Sequence, residues 1–191
     1  GKFMKLGTVV SKWALLLFLS TGVFAADYKI GLRLAFILFK ISRHGYSTLI
    51  GRFNDFEGTF SWDKDDPTSA AIEVNIKTSS IDSNWAERDK HLRGDDFLDV
   101  EQFPTAIFKS TSFSGDVSGG KLDGNLTLHG VTKPITLDVK YIGEGDDPWG
   151  GYRAGFSAAA SLNRGDFDMS YNLGASSESM TFELFVEGIR E

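Results

Sequence analysis

The residues able to do chemistry are few and scattered. The chain has three histidines, His44, His91 and His129, and no cysteine. No two of these histidines stand at a metal-ligand spacing, and no thiolate exists to complete a set. Serine is plentiful, yet no Gly-x-Ser-x-Gly elbow presents one as a nucleophile. Neither a phosphate loop nor a dinucleotide fingerprint occurs. Asp146-Asp147 lacks the acidic spacing of an EF-hand, and Pro148-Trp-Gly-Gly151 beside it reads as an ordinary loop. The densest charged cluster runs from Asn84 to Leu98. Arg88, Asp89 and His91 in it form a candidate polar gate for a ligand head group, set against the plainer reading of a solvated helix. An enzyme acting through those three residues is the third reading. The pattern favours binding without catalysis, cofactor or metal.

The elements that would position such groups are strands. Ile72, Val74 and Ile76 alternate with polar residues, as do Ile135, Leu137 and Val139, and Phe182, Leu184 and Val186. That period of two predicts antiparallel strands with one wet face. Further strands are expected at 33–42, 49–62, 105–113, 121–129 and 152–163. Asp65-Asp-Pro67, Ser118-Gly-Gly120, Gly130 and the run Gly143–Gly151 punctuate them as turns. One helix is expected over 84–92, with Asn84 as N-cap, Glu87 completing a capping box and Gly94 past its end.

Eight consecutive strands joined by short turns predict an all-β, eight-stranded antiparallel barrel, since closure removes the exposed edges. The inward set contains Ala35, Ile37, Phe39, Ile41, Phe56, Gly58, Phe60, Ile72, Val74, Ile76, Ala106, Phe108, Gly124, Leu126 and Leu128. It continues with Ile135, Leu137, Val139, Phe156, Ala158, Ala160, Leu162, Phe182, Leu184 and Val186. A barrel of this size either packs solid or holds one ligand. Gly58, Gly124, Ala158 and Ala160 leave interior space with no obvious filler, and the wall is almost wholly apolar, so a ligand would be apolar along most of its length. Ala158→Phe or Gly124→Leu should then fill the interior space and abolish ligand retention in a protein that still folds.

At the N-terminus, Lys2, Lys5 and Lys12 flank the apolar run Trp13–Leu19, and Val23-Phe-Ala25 supplies a cleavage site before Ala26. Met4 reads as the start of translation. The run is too short for a bilayer, which needs about 20 residues. Residues 1–25 are therefore expected to be a signal peptide, with 26–191 as one domain working outside the cytoplasm. Losing three lysines and no acid takes the net charge from −6 to −9, which disfavours nucleic acid and anionic lipid surfaces.

Several motifs together resemble the YceI family. They are Ala26-Asp-Tyr-Lys-Ile30, Gly45-Tyr-Ser47, Phe53-x-x-Phe-x-Gly-Thr-Phe60, Ala86-Glu-Arg-Asp-Lys-His-Leu-Arg93, Phe97-Leu98, Phe103-Pro104, Leu126-Thr-Leu-x-Gly-Val-Thr-Lys-Pro134 and Gly145–Gly151. The resemblance covers 26–190 and is to the bacterial periplasmic branch. It implies a lipocalin-like barrel whose long apolar tunnel holds a polyisoprenoid or quinone-type lipid as cargo, and no catalytic residues. Ile37, Phe39, Phe56, Phe60, Val74, Ile76, Phe108, Leu126, Leu128, Leu137, Phe156, Ala158, Ala160, Phe182 and Leu184 would then line that tunnel. An interaction or stress-response module with incidental lipid is the rival, and transient contact with the inner membrane or a membrane protein belongs with either. Segment 31–44 departs from the family pattern. There His44 would point to the opposite strand face, and Leu34, Phe36 and Leu38 would form an exposed apolar stripe.

Overall fold

The computed structural model describes residues 25–191; the expected signal peptide therefore falls outside the described residues save for Ala25. In chain order the strands are β1 (Ala26–Ile30), β2 (Phe36–Arg43), β3 (Ser47–Phe53), β4 (Phe56–Trp62), β5 (Ala71–Lys77) and β6 (Ile81–Asp82). After α1 (Ala86–Arg93) come β7 (Thr105–Asp116), β8 (Gly119–Leu128), β9 (Val131–Asp146), β10 (Tyr152–Asn163) and β11 (Ser179–Arg190). The ring β1-β4-β5-β7-β8-β9-β10-β11 closes where Tyr28 faces Arg190 and Ile30 faces Gly188. It is a closed eight-stranded antiparallel barrel.

The remaining strands lengthen that ring. β11 pairs with β1 near its C-terminus and with β2 over Met180–Phe185. β2 pairs with β3, and β3 with β6. Thus β1/β2, β4/β3 and β5/β6 are three broken ring positions. The expected single strand 49–62 is split at Asn54-Asp55, where both residues bond across to the break after β5. Asn54 N–H donates to the Ser80 carbonyl (3.1 Å), and Lys77 N–H donates to the Asp55 carbonyl (2.9 Å). The two neighbouring positions bend at one level and keep their backbone groups satisfied.

Every apolar side chain placed inward by phase is buried or packs against the core. Two bulges alter the phase elsewhere. On β7 the register shifts between Ser110 and Ser112, which returns Phe113 to the interior. On β9 the residues facing Gly155 and Phe156 are Gly143 and Tyr141, so Ile142 is the extra residue and is exposed. Beyond it β9 continues to Asp146, through a stretch that reads as a turn in the sequence.

The excesses of glycine and phenylalanine have a common cause. A Cβ on Gly51 would lie 2.1 Å from the Phe39 ring, on Gly124 2.5 Å from Phe108, on Gly188 2.4 Å from Phe60, and on Gly130 2.5 Å from Phe103. Each ring lies over a bare patch of backbone, as aromatic cover over strand glycines does in β-structures.

Two local expectations are corrected. Asn84 is not the helix cap: its φ is 66° and Trp85 takes the N-cap position with no side-chain cap bond. Asp82 Oδ1 accepts from Asn84 N–H (2.9 Å), which holds Asn84 in a left-handed turn before the helix begins. His44 lies on neither strand face. It occupies the β2–β3 turn with φ 54°, followed by Gly45 at 79°. Leu34 (52 %) and Phe36 (37 %) are exposed beside Phe185 (40 %), while Leu38 is half-buried. Arg52 lies over the Phe36 ring at 5.3 Å.

Candidate functional site

Three cavities follow one another along the barrel axis. The first, about 70 Å³, lies between Phe60, Trp62, Phe113, Leu122, Tyr141, Phe156 and Ala158, at the end that carries the β4–β5, β7–β8 and β9–β10 loops. The second, about 50 Å³, is bounded by Ile37, Ile76, Ala106, Leu126, Ala160 and Leu162. The third, about 40 Å³, lies at the helix end among Phe39, Leu92, Phe97, Leu98, Arg164 and Met180. Adjacent cavities share walls: Phe108, Leu137 and Leu184 stand between the first and second, and Phe53, Leu128 and Phe182 between the second and third. The interior is a row of apolar compartments parted only by side chains.

Fourteen of the fifteen residues expected to line a tunnel border these compartments. Phe60, Val74, Phe156 and Ala158 border the first, Ile37, Ile76, Leu126 and Ala160 the second, and Phe39 the third, while Phe108, Leu128, Leu137, Phe182 and Leu184 are shared walls. Phe56 is buried in the core and borders none. Of the four small residues expected to leave space, only the alanines do. The space over Gly124 is filled by Phe108, and a Cβ on Gly58 would meet the Glu73 carbonyl at 2.4 Å and Ile30 Cδ1 at 3.0 Å. Gly124→Leu therefore collides with a wall residue instead of filling a void.

The loop end is aromatic with one carboxylate behind it. Trp62 stacks on Tyr141 (centroids 5.5 Å) and meets Phe156 edge-on (4.9 Å), and Tyr28 stacks on Phe60 (4.8 Å). The β9 bulge sets Glu144 directly opposite the buried Ala154, hence on the inward face. Its Oε1 accepts from Trp62 Nε1–H (3.1 Å) and from the Tyr141 hydroxyl (2.9 Å), and its Oε2 accepts from the Tyr152 hydroxyl (2.8 Å). Burial alone would raise its pKa, but the bonds from Tyr152, Trp62 and Tyr141 outweigh that and hold Glu144 below the usual carboxylate range. Burial, followed by the bond to Glu144 and its charge, pushes Tyr141 up to about 12. The bond to Glu144 raises Tyr152, and burial raises Tyr28. Trp62 and Tyr141 continue the inward phase of Phe60 and Val139, so their positions were open to extrapolation. Glu144, in a glycine-rich stretch, carried no sequence signal.

The helix end is held by two arginines whose bonds are largely spent on backbone. Arg164, 4 % exposed, donates to the carbonyls of Ser177 (2.8 Å), Met169 (2.8 Å) and Tyr171 (3.2 Å). Burial lowers its pKa. Arg88 donates through Nε to Ser83 Oγ (2.7 Å) and through Nη2 to the Ser83 carbonyl. Asp89, 6 % exposed, accepts from Ser83 N–H (2.8 Å) and from its hydroxyl. Arg88 and Asp89 thus converge on Ser83, although neighbouring side chains on a helix are expected to diverge. They pin α1 to the turn before it and border none of the three cavities. His91 is exposed, bonds Asp96 Oδ2 (2.8 Å) and stands edge-on to Phe97 (5.0 Å), a wall of the third cavity. The structure therefore does not bring the three expected gate residues to one point. Among the described residues, no three His, Asp or Glu side chains are grouped to hold a metal ion.

This architecture has known relatives. Residues 28–187 match the family model described as the YceI-like domain. A UPF0312 protein of Pseudomonas aeruginosa is 51 % identical over 177 residues, covering 92 % of this chain and 93 % of that protein. The YCEI protein of Campylobacter jejuni superposes with a TM-score of 0.71 at 28 % identity, over 79 % of this chain and 90 % of that one. A polyisoprenoid binding domain from Saccharophagus degradans superposes with a TM-score of 0.64 over 87 % of this chain and 99 % of that domain; at 14 % identity it is a likeness of fold.

Proposed function

Because this chain belongs to the YceI family, we propose that it is a periplasmic carrier of a long isoprenoid lipid, of polyprenyl or quinone type, threaded along the barrel axis. The row of apolar cavities with shared walls carries this reading. A straight, narrow, dry path suits a branched chain built from repeating five-carbon units. Strands rise about 3.3 Å per residue, so about ten residues of barrel wall span roughly 30 Å. That the Saccharophagus degradans domain of like fold is a polyisoprenoid binding domain agrees with it.

Loading requires the walls to move. Each compartment is smaller than the ~150 Å³ void that accepts a benzene molecule, so Phe108 and Phe182 must turn aside for a chain to pass. Burying a tail is worth about 0.8 kcal/mol per CH₂ against water. Its alternative is the bilayer, where it is already dry, so transfer is nearly balanced and exchange is reversible. Residues 1–25, acting as a signal peptide that is then removed, would direct the domain to the compartment between the two membranes. The reading assigns no catalytic residue.

Native mass spectrometry and organic extraction of gently purified protein test it. One prenyl-type lipid per chain, on a polypeptide beginning at Ala26, is expected. Protein that is consistently empty and takes up no added polyprenol refutes the carrier. The exposed Leu34, Phe36 and Phe185 favour the rival interaction module, which predicts that serine at all three abolishes function in cells while leaving extracted lipid unchanged.

A further inference from the structure

The polar groups at the loop end have a one-sided hydrogen-bonding capacity. An ionised carboxylate only accepts, so the Tyr141 and Tyr152 hydroxyls and the Trp62 indole N–H must all donate to Glu144. The donors of these three residues are thereby spent, and the Tyr28 hydroxyl, which feels the Glu144 charge, stands outside this network. What remains is acceptor capacity: a fourth lone-pair site on Glu144, at Oε2, and one on each phenol oxygen. These acceptors stand behind Trp62 and Tyr141, both walls of the first cavity. Glu144 is half-buried, where a second negative charge is repelled more strongly than in water.

We propose that Glu144, with Tyr141 and Tyr152, selects the cargo's head group: an uncharged head that offers an O–H donor is accepted at the loop end, and an anionic phosphate head is rejected. The inference rests on the carrier reading and names the chemistry of the cargo's polar end. An allylic alcohol and a hydroquinone both present such a donor. The alcohol meets Tyr141, which borders the present cavity, and reaches Glu144 once Trp62 or Tyr141 turns aside. The hydroquinone needs the aromatic walls to open, and would stack on them.

Cations nearby do not supply the missing donors. Arg190 lies over the Tyr152 ring, its guanidinium carbon 4.2 Å from the centroid. Arg153 is engaged by Asp147 (2.6 Å) and Glu187 (2.7 Å). Lys64 acts on Glu144 as a distant charge, and it is exposed. None of the three borders the cavity.

The test compares delipidated full-length mature protein binding geranylgeraniol, a prenylated hydroquinone of the same tail length, and geranylgeranyl monophosphate, read by Trp fluorescence. The alcohol is expected to bind at least about tenfold more tightly than the phosphate. Glu144→Gln, which keeps an acceptor oxygen and loses the charge, should shrink that ratio to about threefold or less. Asp65→Asn, which removes an exposed charge outside the cluster, should leave the ratio intact. Equal or tighter phosphate binding by the unaltered protein overturns the selection, as does an unchanged ratio in Glu144→Gln or an equal change in Asp65→Asn. Tight binding of the alcohol but not the hydroquinone assigns the donor to a prenol, and the reverse assigns it to a quinol; either supports the selection. If none of the three binds, the carrier reading itself falls and the selection with it, an outcome distinct from tight binding without discrimination.

Discussion

Ala160→Leu should separate a continuous tunnel from a merely porous core. Ala160 borders the middle cavity, about 50 Å³, through which any chain joining the two ends must pass. One water-sized group needs roughly 10–15 Å³ of such space, so the cavity takes about four. The substitution adds three carbons. Burying them is worth about 2.4 kcal/mol at ~0.8 kcal/mol each. Contact with Leu162, Phe182 and Leu126, which share the cavity, returns a cost of ~1–3 kcal/mol for overpacking. The folded protein should therefore stay within about 1 kcal/mol of its original stability, with an unchanged urea m-value. Its lipid should not. A chain stopped at the middle wall keeps only one terminal compartment, and each five-carbon unit left outside forgoes about 4 kcal/mol against water. Urea unfolding reads the first quantity, and native mass spectrometry of freshly purified protein reads the second. A variant of unaltered stability that retained the same lipid at one per chain would refute an axial tunnel.

Gly124→Ala makes the opposite prediction. Its Cβ would meet Phe108 Cζ at 2.5 Å and the Lys109 carbonyl at 2.6 Å, so it should lose about 1–3 kcal/mol in urea unfolding; neutral behaviour would contradict the ring-over-glycine packing. Arg164→Met deprives three carbonyls of their charged donor and should cost at least about 3 kcal/mol, with loss of order in 164–178 seen by hydrogen exchange. Glu144 is held low, so its stabilising share is present above the unfolded glutamate value of about 4.3 and is lost as pH falls through its lower folded value; the urea stability gap to Glu144→Gln should close over that acid window. Tyr141 is raised to about 12, so its share is full below the unfolded value of about 10 and lost as pH climbs towards 12. Absorbance titration should show it ionising late, and earlier in Glu144→Gln.

What could be read from the sequence is what a period of two encodes. Longer strands with one wet face announce themselves, and the phase of residues 72–76, 135–139 and 182–186 places those side chains correctly, while the short β1 at Ala26–Ile30 went unexpected. The breaks in three ring positions are a different matter. Asn54-Asp55 bends because the neighbouring position bends at Thr78–Ser80 and the two exchange backbone bonds, a long-range agreement with no local marker. The two bulges are equally silent. Ile142 continues the apolar character of β9, yet it is the residue expelled. The glycines were misread as vacancies since a sequence does not reveal which ring lies across which strand. N-cap preference likewise suggested Asn84 as a cap, while the local side-chain bonds of Ser83 to Arg88 and Asp89 accompany a helix start one residue later.

The expulsion of Ile142 has a functional consequence that packing alone does not require. With regular pairing through Tyr141, inward positions would have continued at 143 and 145, both glycines, and Glu144 would have faced water. One inserted residue instead turns the carboxylate inward at the point where Trp62, Tyr141 and Tyr152 supply its three donors. Even a half-buried charge is costly unless its hydrogen bonds are made, and an apolar residue at 144 would spare the fold that requirement. Bulges re-aim side chains at barrel rims, and this one aims the barrel's inward-facing carboxylate at the end of its apolar path. Combining Gly143→Glu with Glu144→Gly should leave the pairing as it is and move the carboxylate to the outward position opposite Gly155. If the barrel still folds, retains lipid and keeps its preference for an uncharged head, the carboxylate is an accident of the strand and the selection assigned to it is wrong.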